Sequence, residues 1–204
     1  MKNFLSKFQY NSPVILTFAL LSALSLLLGW LTKGVSTDFL FCVYRTRLLD
    51  PLMYVRMILY VFGHANYEHF IGNFTIILLV GPMLEEKYGS KVLLKMMLVT
   101  TVVTGIVQVI FFPGTALLGA SGIAFMLILL SSFANFQRGR IPITLILVVI
   151  IFLLGEIVDG LFKSDNVSQM GHLIGGLCGT LFGWAITRSK EPSGDVSVGL
   201  DKLP

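Results

Sequence analysis

Three short stretches of this chain carry residue types that do chemistry, set in runs apolar enough to sit in lipid. LLGASGIAF, residues 117–125, holds one hydroxyl, Ser121, between Gly119 and Gly122. QMGHLIGGLCGTLFGW, residues 169–184, holds His172 among Gly171, Gly175, Gly176, Gly179 and Gly183. GHANYEHFIGN, residues 63–73, holds the other two histidines, His64 and His69, together with Asn73. A serine hydroxyl is a weak nucleophile until a base takes its proton, and a neutral imidazole within reach is the commonest base. Ser121 as nucleophile and His172 as general base would be such a pair. The tetrahedral intermediate of acyl transfer then needs donors aimed at its oxyanion. His69, Asn73 and the backbone N–H of Ser121 can supply them, the last because first-turn amides of a helix have no intrahelical partner.

These residues can meet only if their segments pack closely. At about 100° per residue, Gly176, Gly179 and Gly183 fall within about 40° of His172, so the histidine stands on a glycine face. Glycine removes the side-chain spacer and lets a neighbouring helix approach, as in small-xxx-small packing. The segment that Ser121 opens offers a matching face at Ser121 and Ala124, with Gly119 and Gly122 around the serine. In the histidine-rich stretch, Asn66 is placed to cap a helix, which puts His69 at its third position and Asn73 four residues on, along the same face. His64 precedes the cap, where a hydrogen bond to loop backbone is its simplest role. Glu156 and Asp159 are three apart and could orient His172, but nothing ties them to it, so a dyad is expected rather than a triad. Three histidines invite a zinc site, yet no acidic or cysteine ligand stands beside them at metal spacing, and no metal or other cofactor is expected.

Composition requires the supporting elements to be membrane helices. The chain is 55% apolar and 13% charged, with a mean hydropathy of +0.84, values outside the range of soluble domains. Crossing about 30 Å of hydrocarbon takes roughly 20 apolar residues. Six stretches qualify: 13–31, about 66–84, about 92–112, about 117–136, 141–158 and 170–187. The expected fold is therefore all-α, a polytopic membrane protein with six transmembrane helices in one compact bundle spanning 13–188. Residues 1–12 form a short leading segment and 189–204 a tail that has lost the apolar pattern. The long first connection, 32–65, carries Arg45, Arg47, Asp50, Pro51 and Arg56 among apolar residues and is expected in the interface, partly re-entrant.

Orientation follows from the basic residues of the short loops. With the N-terminus inside, the cytoplasmic side collects Lys2, Lys7, Lys87, Lys91, Lys95, Arg138, Arg140, Arg188 and Lys190. Lys33, Arg45, Arg47, Arg56 and Lys163 fall on the other side, so both termini are expected in the cytoplasm and Ser121 near the outer leaflet. The net charge of +4 suits anionic lipid headgroups, and no aromatic-basic interleaving points to nucleic acid. Cys42 and Cys178 form no framework and are read as free thiols. A transporter would use His64, His69, Glu156 and Asp159 as a proton relay, but it predicts inverted repeats that this sequence lacks.

GASG at 119–122, the Gly-His pair at 171–172 followed by Gly175 and Gly179, and HANYEHFIGN at 64–73 together resemble the rhomboid intramembrane serine proteases. The resemblance covers about residues 56–187, and since six helices is the family's basic bacterial form, it implies a bacterial inner membrane as the expected location. It implies Ser121 as nucleophile, His172 as base and His69 with Asn73 as oxyanion-hole side chains. It gives His64, Gly119, Gly122, Phe125, Gly175 and Gly179 supporting places, and EEKYGS at 85–90 that of a structural acidic-to-glycine turn. Two positions depart from the family pattern: Val55 stands where a tryptophan precedes Arg56, and Phe125 where a tyrosine often stacks on the base. The implied activity is hydrolysis of peptide bonds in or near transmembrane segments of protein substrates. The alternative is a catalytically inactive rhomboid-like protein that binds membrane helices. Neither the natural substrate nor an oligomeric state follows from the sequence.

Overall fold

A computed structural model of the chain describes residues 7–133, 140, 143–162 and 169–189. These residues form eight α-helices: α1 Pro13–Leu31, α2 Val35–Leu40, α3 Pro51–Leu59, α4 Tyr67–Tyr88, α5 Ser90–Phe111, α6 Ser121–Ser132, α7 Ile143–Phe162 and α8 Gln169–Ser189. A 3-10 turn, Tyr60–Phe62, follows α3. The protein is an all-α, multi-pass membrane bundle, in which α1, α4, α5 and α8 are each long and apolar enough to cross a bilayer. Residues 1–6 of the expected leading segment lie outside the described residues, as does the expected tail after Ser189, which is the last residue of α8.

Two boundaries differ from the sequence reading for identifiable reasons. The apolar run that ends near Leu84 continues as helix to Tyr88, because the break comes only at Gly89, whose φ of 83° ends α4 and opens α5. The run 117–136 is not helical from its start. Leu117 pairs with Val43 in an isolated antiparallel bridge, both N–H···O bonds 2.8 Å, and the helix begins at Ser121. At about 1.5 Å per residue the twelve residues of α6 span about 18 Å, well short of a bilayer's hydrocarbon. Its first residue is Ser121, the nucleophile candidate.

The first connection packs into the bundle rather than lying loosely over it. Arg56 is buried at 4% exposure, donating from Nε to the Phe39 carbonyl at 2.8 Å, with its guanidinium 4.4 Å from the Tyr44 ring centroid. Gln108 of α5 reaches the following loop, donating to the Thr115 carbonyl at 3.2 Å and hydroxyl at 2.9 Å. This anchors the segment that leads into Ser121.

At the other end of the bundle Glu85, 3% exposed, closes the N-terminus of α1. One carboxylate oxygen accepts the Val14 N–H at 3.0 Å and the Ser90 hydroxyl at 2.7 Å, the other the Ile15 N–H at 3.0 Å. A carboxylate on unpaired first-turn amides is favoured by both hydrogen bonding and the helix dipole. Glutamine would keep one acceptor oxygen and turn an NH2 toward a donor. Glu85→Gln should thus cost about 2 kcal/mol, seen as a lowered Tm in detergent, whereas exposed Glu86→Gln should leave Tm unchanged.

Candidate active site

The site is assembled where α6 and α8 touch backbone to backbone. A Cβ at Gly175 would collide with the Gly122 carbonyl, one at Gly179 with the Met126 carbonyl, and one at Gly183 with the Phe133 ring. A Cβ at Gly122 would in turn lie 3.1 Å from the Gly171 carbonyl. The face of α6 that meets α8 therefore runs through Gly122, Met126 and Phe133. Ala124, expected there from sequence, is about 200° round the helix from Gly122 and is buried elsewhere in the core.

Ser121 and Phe125, one turn apart, flank the contact face of α6 beside His172. The Phe125 and His172 rings stack at 4.6 Å between centroids, tilted by 38°. The phenylalanine thus meets the imidazole without the hydroxyl a tyrosine would bring. Gly122 against the Gly171 carbonyl and Phe125 against the His172 ring bring the sequence neighbours of Ser121 and His172 into contact. Ser121 is the first residue of α6, so its N–H is among the amides left without an intrahelical acceptor.

The third part comes from α4. Asn66 accepts the His69 N–H at 2.8 Å through its side-chain oxygen, capping the helix and fixing His69 in the first turn. Gly119, at φ 117°, stands against this helix: a Cβ there would lie 2.7 Å from His69 Cε1, 2.9 Å from His69 Nε2 and 3.6 Å from Asn73 Nδ2. Glycine is required twice over, by the backbone angle and by the approach. The Gly119 N–H donates to the Tyr60 carbonyl at 3.0 Å, which holds the loop in place. His69 and His172 are close enough to interact electrostatically.

His64 does more than bond to its own loop. Its Nδ1 lies 3.2 Å from the Phe62 carbonyl, which can only accept, so Nδ1 carries the proton and Nε2 is left to accept. The donor is the Asn73 side-chain amide, at 3.2 Å. One of the two amide protons is thereby used, and the other remains to point toward Gly119. The His64 ring is buried among His69, Phe70 and Phe74, at 5.2, 5.3 and 5.7 Å between centroids. Burial, and secondarily the neighbouring His69, pushes its pKa down to about 4, so it stays a neutral acceptor through the physiological range. The nine-residue spacing of His64 and Asn73 carries no helical signal, because His64 lies before the cap.

Glu156 and Asp159 lie on α7, and their side chains fall outside the described residues. Among the described residues no group of three or more histidine, cysteine or acidic side chains could hold a metal ion.

Comparison with known proteins agrees with this arrangement at the level of family. The family model for the Rhomboid domain matches residues 51–189. The chain belongs to the rhomboid family. It is 25% identical over 151 residues to "Rhomboid-like protein 11, chloroplastic" of Arabidopsis thaliana, covering 67% of this chain and 54% of that protein. It is 31% identical over 137 residues to "Rhomboid-related protein 1" of Caenorhabditis elegans, covering 62% of this chain and 38% of that one. This rhomboid thus spans about half or less of the length of these relatives.

The α6–α8 contact in this rhomboid leaves no room for a methyl group. Gly175→Ala should lower Tm in detergent by an amount equivalent to about 1–3 kcal/mol or more, the usual cost of overpacking. Gly72→Ala, on α4 with nothing within 4 Å of the added carbon, should be neutral or stabilising by up to about 1 kcal/mol. Equal effects of the two substitutions would contradict the close approach.

Proposed function

We propose that this rhomboid is an intramembrane serine protease that cuts membrane proteins within or next to a transmembrane segment. The observation that carries the proposal is the convergence of three helix segments on one point: the α6 start with Ser121, the His172 end of α8, and the His69–Asn73 face of α4 against Gly119. The membrane position of these elements supports it as well. Nothing in a helix-binding role calls for a hydroxyl, an imidazole and oriented amide donors in one place.

In the proposed reaction His172 accepts the Ser121 proton as the serine oxygen attacks the scissile carbonyl. The oxyanion is met by the Ser121 N–H, the Asn73 amide proton not used by His64, and His69. His172 then returns the proton to the leaving amine, and water hydrolyses the acyl-enzyme through the same base. A substrate helix has its carbonyls bonded internally, so the segment to be cut must unwind first. Substrates are therefore single-span proteins with helix-weakening residues near the membrane face that holds Ser121. The family resemblance adds a small residue, often alanine, before the cut.

Purified protein reconstituted with a single-span reporter should yield a cut inside or beside the membrane segment. Ser121→Ala should abolish it, and Asn73→Ala should slow it roughly hundredfold while, by leaving the buried His64 Nε2 without its donor, lowering Tm by an amount worth about 1–3 kcal/mol without preventing folding. Cleavage undiminished in Ser121→Ala would remove the nucleophile assignment. Absence of cleavage by wild type on any helix-weakened substrate would favour the inactive, helix-binding alternative.

A further inference from the structure

A lateral groove of about 420 Å³ lies between α1, the end of α3 and α5, on the side of the bundle away from α8. Its walls are Val14, Phe18 and Leu21 of α1, Ile58 of α3, and Leu94 and Leu98 of α5. Leu21, Ile58, Leu94 and Leu98 are each about half-exposed and form lips that open outward. The hydroxyls in the lining are already engaged. Thr101 donates to the Met97 carbonyl at 2.8 Å, Ser90 to Glu85 at 2.7 Å, and the Thr17 hydroxyl bonds that of Tyr10 at 2.9 Å. The wall therefore presents carbon to whatever occupies it.

Length and charge select the occupant. Along α5 the lining runs from Ser90 to Thr101, about 17 Å at 1.5 Å per residue. That is about half the hydrocarbon thickness of a bilayer, the depth of a single leaflet. A transmembrane helix would need both leaflets, whereas one acyl chain needs one. At the end where α4 turns into α5, Lys91 and Lys95 are exposed on α5, one turn apart and bordering the strip that carries Leu94 and Leu98. The carboxylate of Glu85 closes this end from within, but it is buried and bonded to the α1 amides and to Ser90. The charge facing the membrane boundary beside the groove is therefore that of the two lysines, with Glu86 and Lys87 exposed on the preceding helix.

We propose that this groove holds one acyl chain of an anionic phospholipid, with the headgroup phosphate on Lys91 and Lys95. The chain would touch two residues connected to the site. Ile123, at the groove floor, is two residues after Ser121, and the carbonyl of Phe62, also in the lining, holds the His64 ring. The lipid would thus support α6 and the α3–α4 connection from behind, whatever reaction the site performs.

The test uses the full chain in nanodiscs or detergent with phosphatidylglycerol or phosphatidylcholine of identical acyl chains, and bound lipid read by native mass spectrometry. Wild type should retain phosphatidylglycerol in preference to phosphatidylcholine. Lys91→Gln with Lys95→Gln should reduce that retention by roughly fivefold per lysine, leaving phosphatidylcholine as it was. Leu94→Trp, which fills the groove, should reduce retention of both lipids. Lys33→Gln, at the far end of α1, should change nothing. Equal retention of the two lipids by wild type, or phosphatidylglycerol retention unaffected by the lysine pair, would overturn the proposal even if Leu94→Trp failed to fold. Displacement of the retained lipid by a single-span peptide, abolished by Leu94→Trp, would make the groove a helix dock and overturn it as well.

Discussion

The contact between the α6 and α8 backbones at Gly122 and Gly175 is the constraint on which the rest of the site depends. Without a Cβ at either position the Gly122 carbonyl lies in the space a side chain would take. In lipid no hydrophobic force draws helices together, so close packing and the dispersion contacts it allows must do so. Glycine at 175, 179 and 183 repeats the arrangement down α8, making the crossing a long one that sets the position of His172 against Phe125, one turn from Ser121. Glycine is unfavourable in an isolated helix. Its concentration here is intelligible only through the neighbour it admits.

The same contact accounts for the unusual shape of α6. A helix that began at the membrane surface would satisfy its amides there and carry its first residue into water. Here Leu117 is held by the Val43 bridge and Gly119, in a bend, by the Tyr60 carbonyl, and the helix starts only at Ser121. First-turn amides thus stand with the Ser121 hydroxyl one turn from Phe125, whose ring stacks on His172. Irregular backbone in a membrane protein is tolerated where protein surrounds it, and the first connection, with Arg56 bonded inside it and Val43 bridged to Leu117, contributes to that surrounding. Structure and chemistry therefore share one requirement, a helix start set between buried neighbours, Ala120 and Ile123.

Much of this is legible in the sequence where the signal is local. The Asn66 cap and the position of His69 follow from residue types a few positions apart, and the apolar runs follow from composition. What escapes is long-range. Glu85 caps a helix some seventy residues earlier, and no periodicity in either segment announces that pairing. The start of α6 is set by a bridge to Val43, so an uninterrupted apolar run concealed a change from extended chain to helix. Ala124 resembles a packing residue by size, yet only the partner helix decides which face of α6 is used. The bond from Asn73 to His64 is invisible for a similar reason, since it depends on a loop returning over the helix it precedes.

The central claim is that Ser121 is an activated nucleophile because of where α6 and α8 meet. A fluorophosphonate probe, which reacts with activated serines, tests it without a substrate. Incubated with the protein in detergent and mapped by peptide mass spectrometry, the probe should modify Ser121 in wild type and leave His172→Ala unlabelled. Labelling of Ser121 at the same rate in His172→Ala, or labelling at another serine with Ser121 untouched, would contradict the account.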